Sequence, residues 1–179
     1  MNTIQILDKK FALSIPEVEI QAAVRKVAEA INQDIANTNP LFIFVLNGAF
    51  MFAGDLMKSI NFPCEITFVK LSSYEGFTTT GNVKEVIGLS ESVVGRNVVI
   101  VEDIVDTGIT MERILSSLKT KGANEIRVAT FLQKPDALQR DITIDYVAMR
   151  IPNDFIVGYG LDYDGYGRNL KDIYTVVEE

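Results

Sequence analysis

The chain contains no histidine and no tryptophan, a single cysteine (Cys64), and only 17 basic residues against 24 acidic ones. Each shortage removes a class of function. Without histidine there is no His-dependent triad, no histidine general base and no imidazole-ligated zinc, so proton transfer falls to carboxylates, lysine or tyrosine. One thiol cannot form an internal disulfide. Cys64 lies in an apolar stretch and reads as a small core residue. A net charge of −7 argues against non-specific nucleic-acid binding, which needs a basic surface. No apolar run approaches the ~20 residues of a membrane span. The opening stretch MNTIQILDKKFALS has no basic region followed by an apolar one, so no secretory signal is evident and a cytoplasmic location is expected.

What is present fits one domain over 1–179: the chain is long enough for a sizeable core, and at 47% hydrophobic it is not disordered. No repeat, low-complexity segment or linker interrupts it. Residues 16–37 place Ile20, Val24, Val27, Ala30 and Ile31 among charges, the pattern of an amphipathic helix. Pro16 suits its first turn and Ser14 is a candidate cap. Residues 41–46 form an all-apolar strand, Gly48 follows, and 49–60 reads as a helix. A strand over 64–71 leads into the polar, glycine-containing stretch 72–82, which reads as a loop or hairpin. Then come a strand over 98–101, a helix over 109–120 closed by Gly122, and strands over 126–132 and 144–149. Alternation of this kind implies an α/β fold, a mostly parallel twisted sheet flanked by helices with right-handed crossovers. The rhythm breaks after Pro152, where a short apolar run over 155–161 precedes a polar, tyrosine-rich loop.

The most informative stretch is 98–110, VVIVEDIVDTGIT. Val98 to Val101 suit a strand buried on both faces. The adjacent acids Glu102 and Asp103 follow, then Asp106, Thr107, Gly108, Ile109 and Thr110, a short polar turn feeding a helix. In open α/β sheets ligands bind where strands end and helices begin. Backbone N–H groups and hydroxyls there form an anion cradle. Acids beside such a cradle would repel a phosphate unless a cation or sugar hydroxyl lies between. The combination points to a phosphorylated sugar bound with a divalent metal.

Four apolar residues, two acids, two apolar residues and D-T-G-x-T resemble the 5-phosphoribosyl-1-diphosphate (PRPP) signature of type I phosphoribosyltransferases. The likeness covers nearly the whole chain, and the order and spacing of further motifs resemble the 6-oxopurine branch of that family. It implies a core over about 16–150 and a small hood formed by the N-terminal segment and about 151–179.

Four regions carry the resemblance beyond the signature. Leu46-Asn47-Gly48 matches a pyrophosphate-binding turn that in the family contains a non-proline cis peptide; glycine lets the backbone approach an anion. The family commonly has Lys or Arg where this chain has Asn47, so no charge-dependent role is carried over. Ser73-Tyr74 resembles the start of a catalytic lid, whose closure would keep water from an oxocarbenium-like sugar. Lys134 matches the donor to the purine O6, which selects an oxo group over the amino group of adenine. In DFIVGYGLDYDGYGRNL, Phe155 is expected to stack on the base and the backbone of Ile156 to meet its edge, with Leu161 beside them. Asp162 is expected near a metal and Arg168 at pyrophosphate.

The resemblance therefore implies a Mg²⁺-dependent transfer of the phosphoribosyl group to a 6-oxopurine. Glu102 and Asp103 would hold the ribose hydroxyls directly or through metal, and residues 106–110 would grip the 5′-phosphate. Asp106 would handle the proton at N7. Family members usually form dimers or tetramers. Xanthine remains open as a base, whereas adenine is disfavoured by Lys134 and orotate by the 155–162 segment. Regulators with this fold need a helix-turn-helix or a basic face. A phospho-receiver domain would not need D-T-G-x-T.

Overall fold

The structure, a computed structural model, describes residues 2–72 and 84–177. Its main sheet is built from β3 (Leu41–Leu46), β4 (Glu65–Ser72), β5 (Lys84–Ile87), β6 (Asn97–Val105), β7 (Glu125–Gln133) and β8 (Tyr146–Arg150). The order across it is β5-β4-β3-β6-β7-β8. β5 pairs antiparallel with β4, and the other neighbours are parallel. β3 lies between β4 and β6, which is why Leu41 to Val45 are all buried and the strand has no polar alternation.

Among the described residues, three α-helices pack on the sheet. α1 (Glu17–Ile35) buries Ile20, Ala23, Val24, Val27, Ala28, Ile31 and Ile35 at helical spacing. It packs with α2 (Phe50–Ser59) over one core layer containing Phe42, Phe44, Phe52, Val99 and Phe131. α3 (Ile109–Thr120) contributes Met111 and Leu118 to a second layer with Ile43, Val45, Val98, Ile100 and Val128. The crossover from β3 through α2 reaches β4, on one side of β3; the crossover from β6 through α3 reaches β7, on the other side. Strand order thus reverses between β3 and β6, and in open α/β sheets ligands bind at the C-terminal ends of the strands at such a point.

A second, four-stranded antiparallel sheet joins β1 (Thr3–Ile6), β2 (Lys9–Ile15), β9 (Ile156–Val157) and β10 (Ile173–Val176) in the order β1-β2-β10-β9. Its own small core is Phe11, Val157 and Tyr174. β1, β9 and β10 are short, so their periodicity is too brief to read locally, and the pairing of β2 with β10 spans most of the chain's length.

Two local expectations are corrected. Ser14 does not cap α1: its hydroxyl donates to the Ile173 carbonyl at 3.1 Å. The N–H of Glu17 is instead accepted by Asp172 Oδ1 at 2.7 Å, a cap supplied from 155 residues away. β6 also does not stop at Val101; it continues through both acids to Val105, because β7 offers it backbone partners as far as Gln133. Cys64 is a free, half-buried thiol packed against the main core. Among the described residues no helix is long and apolar enough to cross a membrane.

Candidate active site

Because β3, β6 and β7 run parallel, their C-terminal ends lie on one edge and bring three sequence-distant turns together. The turn after β3 carries Leu46, Asn47 and Gly48, with a cis peptide between Leu46 and Asn47. Gly48 is buried, while Asn47 is exposed. A Cβ built on Gly48 would lie 1.4 Å from Asp103 Oδ2, so the missing side chain is the space Asp103 occupies. A Cβ on Gly160 would lie 2.0 Å from the Gly48 carbonyl oxygen. The arch around Gly160 therefore presses directly on the turn.

The acid pair near the end of β6 is half-buried, with much of its carboxylate surface enclosed by protein. The Glu102 carboxyl is pushed well above the ordinary carboxylate range, by burial first, then by the charge of Asp103 and the hydrogen bond between the two carboxyls. Asp103 is also raised by burial, which outweighs the lowering by Glu102, by the Ile104 N–H at 2.8 Å and by Arg168. The pair holds a proton more tightly than an isolated carboxyl does. Glu102 Oε2 is sealed from solvent and has no hydrogen-bond partner. A buried acceptor in that condition fits a cation or a hydroxyl donor. Among the described residues no three His, Cys, Asp or Glu side chains converge on one point. A cation here would therefore draw its other ligands from substrate and water, as Mg²⁺ commonly does.

The turn into α3 follows. Gly108, at φ 80°, is the residue before the helix and makes no side-chain cap, which leaves first-turn N–H groups for a ligand. A side chain on Gly108 would also meet Leu138 Cδ1 at 2.9 Å. The Thr107 hydroxyl accepts from the Ile109 N–H at 3.4 Å, and Thr110 is exposed in the first helical turn. The Thr107 carbonyl is pinned by the Gln139 N–H at 3.0 Å.

Lys134 and Asp106 face each other. The Lys134 backbone N–H donates to the Val105 carbonyl at 3.0 Å, which sets the end of β7 beside the end of β6. Its ammonium stands 3.9 Å from Asp106 Oδ2. Lys134 is only 8% exposed, whereas the Asp106 side chain is 48% exposed and open to a ligand. A buried lysine held beside a carboxylate has a functional or structural reason to be there.

The 155–168 segment reaches the site through Gly160, against the Gly48 carbonyl, and through Arg168, whose charge acts on Asp103. Phe155 is 44% exposed although its carbonyl is fixed by the Val176 N–H at 2.9 Å. Ile156 is buried in β9, and Leu161 packs against the main core. Asp162 accepts from the Gly165 N–H at 2.7 Å and pairs with Arg168 at 2.7 Å. Arg168 also donates to the Gly160 carbonyl at 2.8 Å. It is thus braced on the same arch that presses on Gly48. Ser73 and Tyr74 lie outside the described residues.

The sequence reading missed the anchor of this arch. Tyr159 is 1% exposed and donates through its hydroxyl to Asp55 Oδ2 at 2.9 Å. Asp55 also accepts from Gln21 at 2.6 Å and Lys58 at 3.1 Å. The only local signal was a tyrosine between two glycines. Burial alone would raise the Asp55 pKa, but the hydrogen bonds from Gln21, Tyr159 and Lys58 outweigh it and hold the group below its ordinary 3.8. A carboxyl with a depressed folded-state pKa adds stability above its unfolded pKa and loses it as pH falls through the folded value. Asp55→Asn should therefore destabilise the protein near neutrality by about 1–2 kcal/mol. The deficit should shrink below about pH 4. Thermal unfolding across this range checks it; a deficit that stays constant in acid would contradict the charge-dependent account.

Comparison with known proteins gives a consistent picture. A family model described as "Phosphoribosyl transferase domain" matches residues 16–164. A hypoxanthine-guanine phosphoribosyltransferase of Streptococcus mutans is 39% identical over 164 residues, 91% of each chain. Its counterpart in Streptococcus pyogenes is 41% identical over the same span, again 91% of each. Among solved structures, a Staphylococcus aureus hypoxanthine phosphoribosyltransferase superposes with a TM-score of 0.86 at 35% identity, covering 92% of this chain and 90% of that one. A Bacillus anthracis hypoxanthine-guanine phosphoribosyltransferase gives a TM-score of 0.86 at 37% identity, covering 92% and 98%.

Proposed function

The chain belongs to the phosphoribosyltransferase family, and from that premise we propose that it transfers the 5-phosphoribosyl group of PRPP to N9 of hypoxanthine and guanine, releasing pyrophosphate. The observation that carries this reading is the meeting of three elements at the C-terminal ends of β6 and β7: the half-buried acid pair, the uncapped start of α3, and a buried lysine beside Asp106.

In the reaction the C1–O bond to diphosphate breaks and the N9–C1 bond forms. The electron pair of the broken bond leaves with pyrophosphate, and the base loses a proton. The first-turn N–H groups of α3 and the hydroxyls of Thr107 and Thr110 bind the 5′-phosphate. Glu102 and Asp103 orient the ribose hydroxyls. The Leu46–Gly48 turn and Arg168 receive the diphosphate through backbone groups and a planar guanidinium. Lys134 donates to O6 and steadies the negative charge that grows on the base. Asp106 takes the N7 proton, which makes N9 the better nucleophile. Phe155 lies on the base face and the backbone of Ile156 at its edge. Mg²⁺ would be held by Glu102 and Asp103, with Asp162 at a second position, and would neutralise the departing diphosphate. The site works in the cytoplasm as part of a homo-oligomer.

A spectrophotometric assay with PRPP and Mg²⁺ against hypoxanthine, guanine, xanthine and adenine tests the assignment. Turnover of hypoxanthine or guanine without adenine is the expected result. Turnover of adenine would overturn the role of Lys134, and turnover of none would overturn the activity.

A further inference from the structure

The hood carries an aromatic cluster that the transfer chemistry does not account for. Phe155, half exposed, has Phe11 at 6.1 Å between ring centroids and Tyr163 at 5.7 Å, the latter edge-on at 86°. Phe11 is fully buried and also lies 6.1 Å from Tyr163. Two sides of the Phe155 ring are thus occupied by other rings. Tyr163 in turn is held from outside. Its hydroxyl donates to Asp8 Oδ1 at 2.6 Å, and the Lys9 ammonium stands 5.6 Å from its ring centroid. Asp8 and Lys9 lie at the tip of the β1–β2 hairpin, 155 residues from Tyr163.

We infer that the tip of the N-terminal hairpin, through the Asp8–Tyr163 hydrogen bond, positions the Phe155 ring and so sets the affinity of the site for its base. This rests on the reading above that Phe155 meets the base. The physical reason is rotational. An aromatic ring that is exposed on one face keeps its orientation only if its edges are blocked, and an edge-to-face neighbour does this when it is itself fixed. The Tyr163 backbone is held by a short antiparallel bridge to Tyr166, with hydrogen bonds of 2.9 and 3.0 Å, but that bridge leaves the far end of its side chain unfixed. The bond to Asp8 is what fixes the far end of its ring. Asp8 and Tyr163 are therefore positioning residues, since neither is placed on substrate.

The test uses the full chain in three variants with a reference. Asp8→Ala and Tyr163→Phe each delete the hydrogen bond and retain the aromatic cluster; Asp8→Asn keeps an acceptor oxygen; Phe155→Leu removes the stacking ring. Asp8→Ala and Tyr163→Phe should raise the KM for hypoxanthine about threefold to tenfold, the scale of one hydrogen bond. The KM for PRPP and kcat should stay within about twofold, and Asp8→Asn should behave as the parent. A rise in hypoxanthine KM for Phe155→Leu alone would overturn the hairpin's role and leave the base site intact. No rise even for Phe155→Leu would overturn the base-site reading itself. Equal rises in both KM values with a falling Tm would show general loosening of the hood and would also overturn the inference.

Discussion

Gly48→Ala should leave a folded protein that has lost on the order of a hundredfold in kcat/KM, the cost expected when a binding group is moved by about 1 Å. The new Cβ falls 1.4 Å from Asp103 Oδ2, and the two cannot coexist. A carboxylate is the end of a side chain, so the conflict resolves by rotating Asp103 away and not by breaking the sheet. Asp103 then leaves the acid pair, and Glu102 loses the partner with which it shares a proton. Stability should fall by less than about 1 kcal/mol, because turning Asp103 outward also relieves part of its burial. Gly160→Ala provides the contrast. Its Cβ meets the Gly48 carbonyl at 2.0 Å, a backbone atom, from a residue at φ 98°. That clash has no side-chain escape, so the variant should lose activity together with about 1–3 kcal/mol of stability. Steady-state kinetics beside thermal unfolding separate the two. If Gly48→Ala is as destabilised as Gly160→Ala, the role given to Asp103 is wrong.

Asp106→Asn should reduce kcat by about a hundredfold to ten-thousandfold, the usual worth of a placed proton acceptor. The amide has the same shape but no basic oxygen. PRPP affinity should change little, because the phosphate is held by N–H groups and hydroxyls of the following turn. Stability should also change little: among the described residues the cation facing the Asp106 side chain is Lys134, at 3.9 Å, and that side chain is half exposed. Long, partly exposed ion pairs contribute about 0–1 kcal/mol. The informative measurements are kcat and an equilibrium binding constant for PRPP. A kcat within about threefold of the parent would remove Asp106 from proton transfer.

Much of this architecture is legible in the sequence. β3 is buried on both faces, and its unbroken apolar run marks a strand over 41–46, the bounds it has in the fold. The helix over 109–120 was bounded by a glycine at each end and appears as Ile109–Thr120. The acid pair and D-T-G-x-T were legible because their chemistry is local: acids beside an anion cradle make sense only with a cation or sugar between them. The continuation of β6 through Glu102 and Asp103 was not legible. Charged residues oppose a buried strand locally, and the backbone partners that override this come from β7.

The amino-acid order by itself determined β3, β4, β7, β8 and the first half of β6, together with the chemistry of the turn after β6, since each depends on residues within a few positions of one another; β5 carries no such signal and exists because β4 offers it backbone partners. Tertiary structure alone decided what those residues touch. Gly48 was legible as a site of close approach, but only the fold shows that Asp103 fills its missing side chain and that Gly160 presses from the other side. The same holds for Asp172 capping α1, Tyr159 anchored on Asp55, and Asp8 reaching Tyr163. These contacts join residues 104 to 155 positions apart, and no local pattern records them. They form because parallel strands align their ends and chain termini pair into one sheet, which only the assembled chain can do.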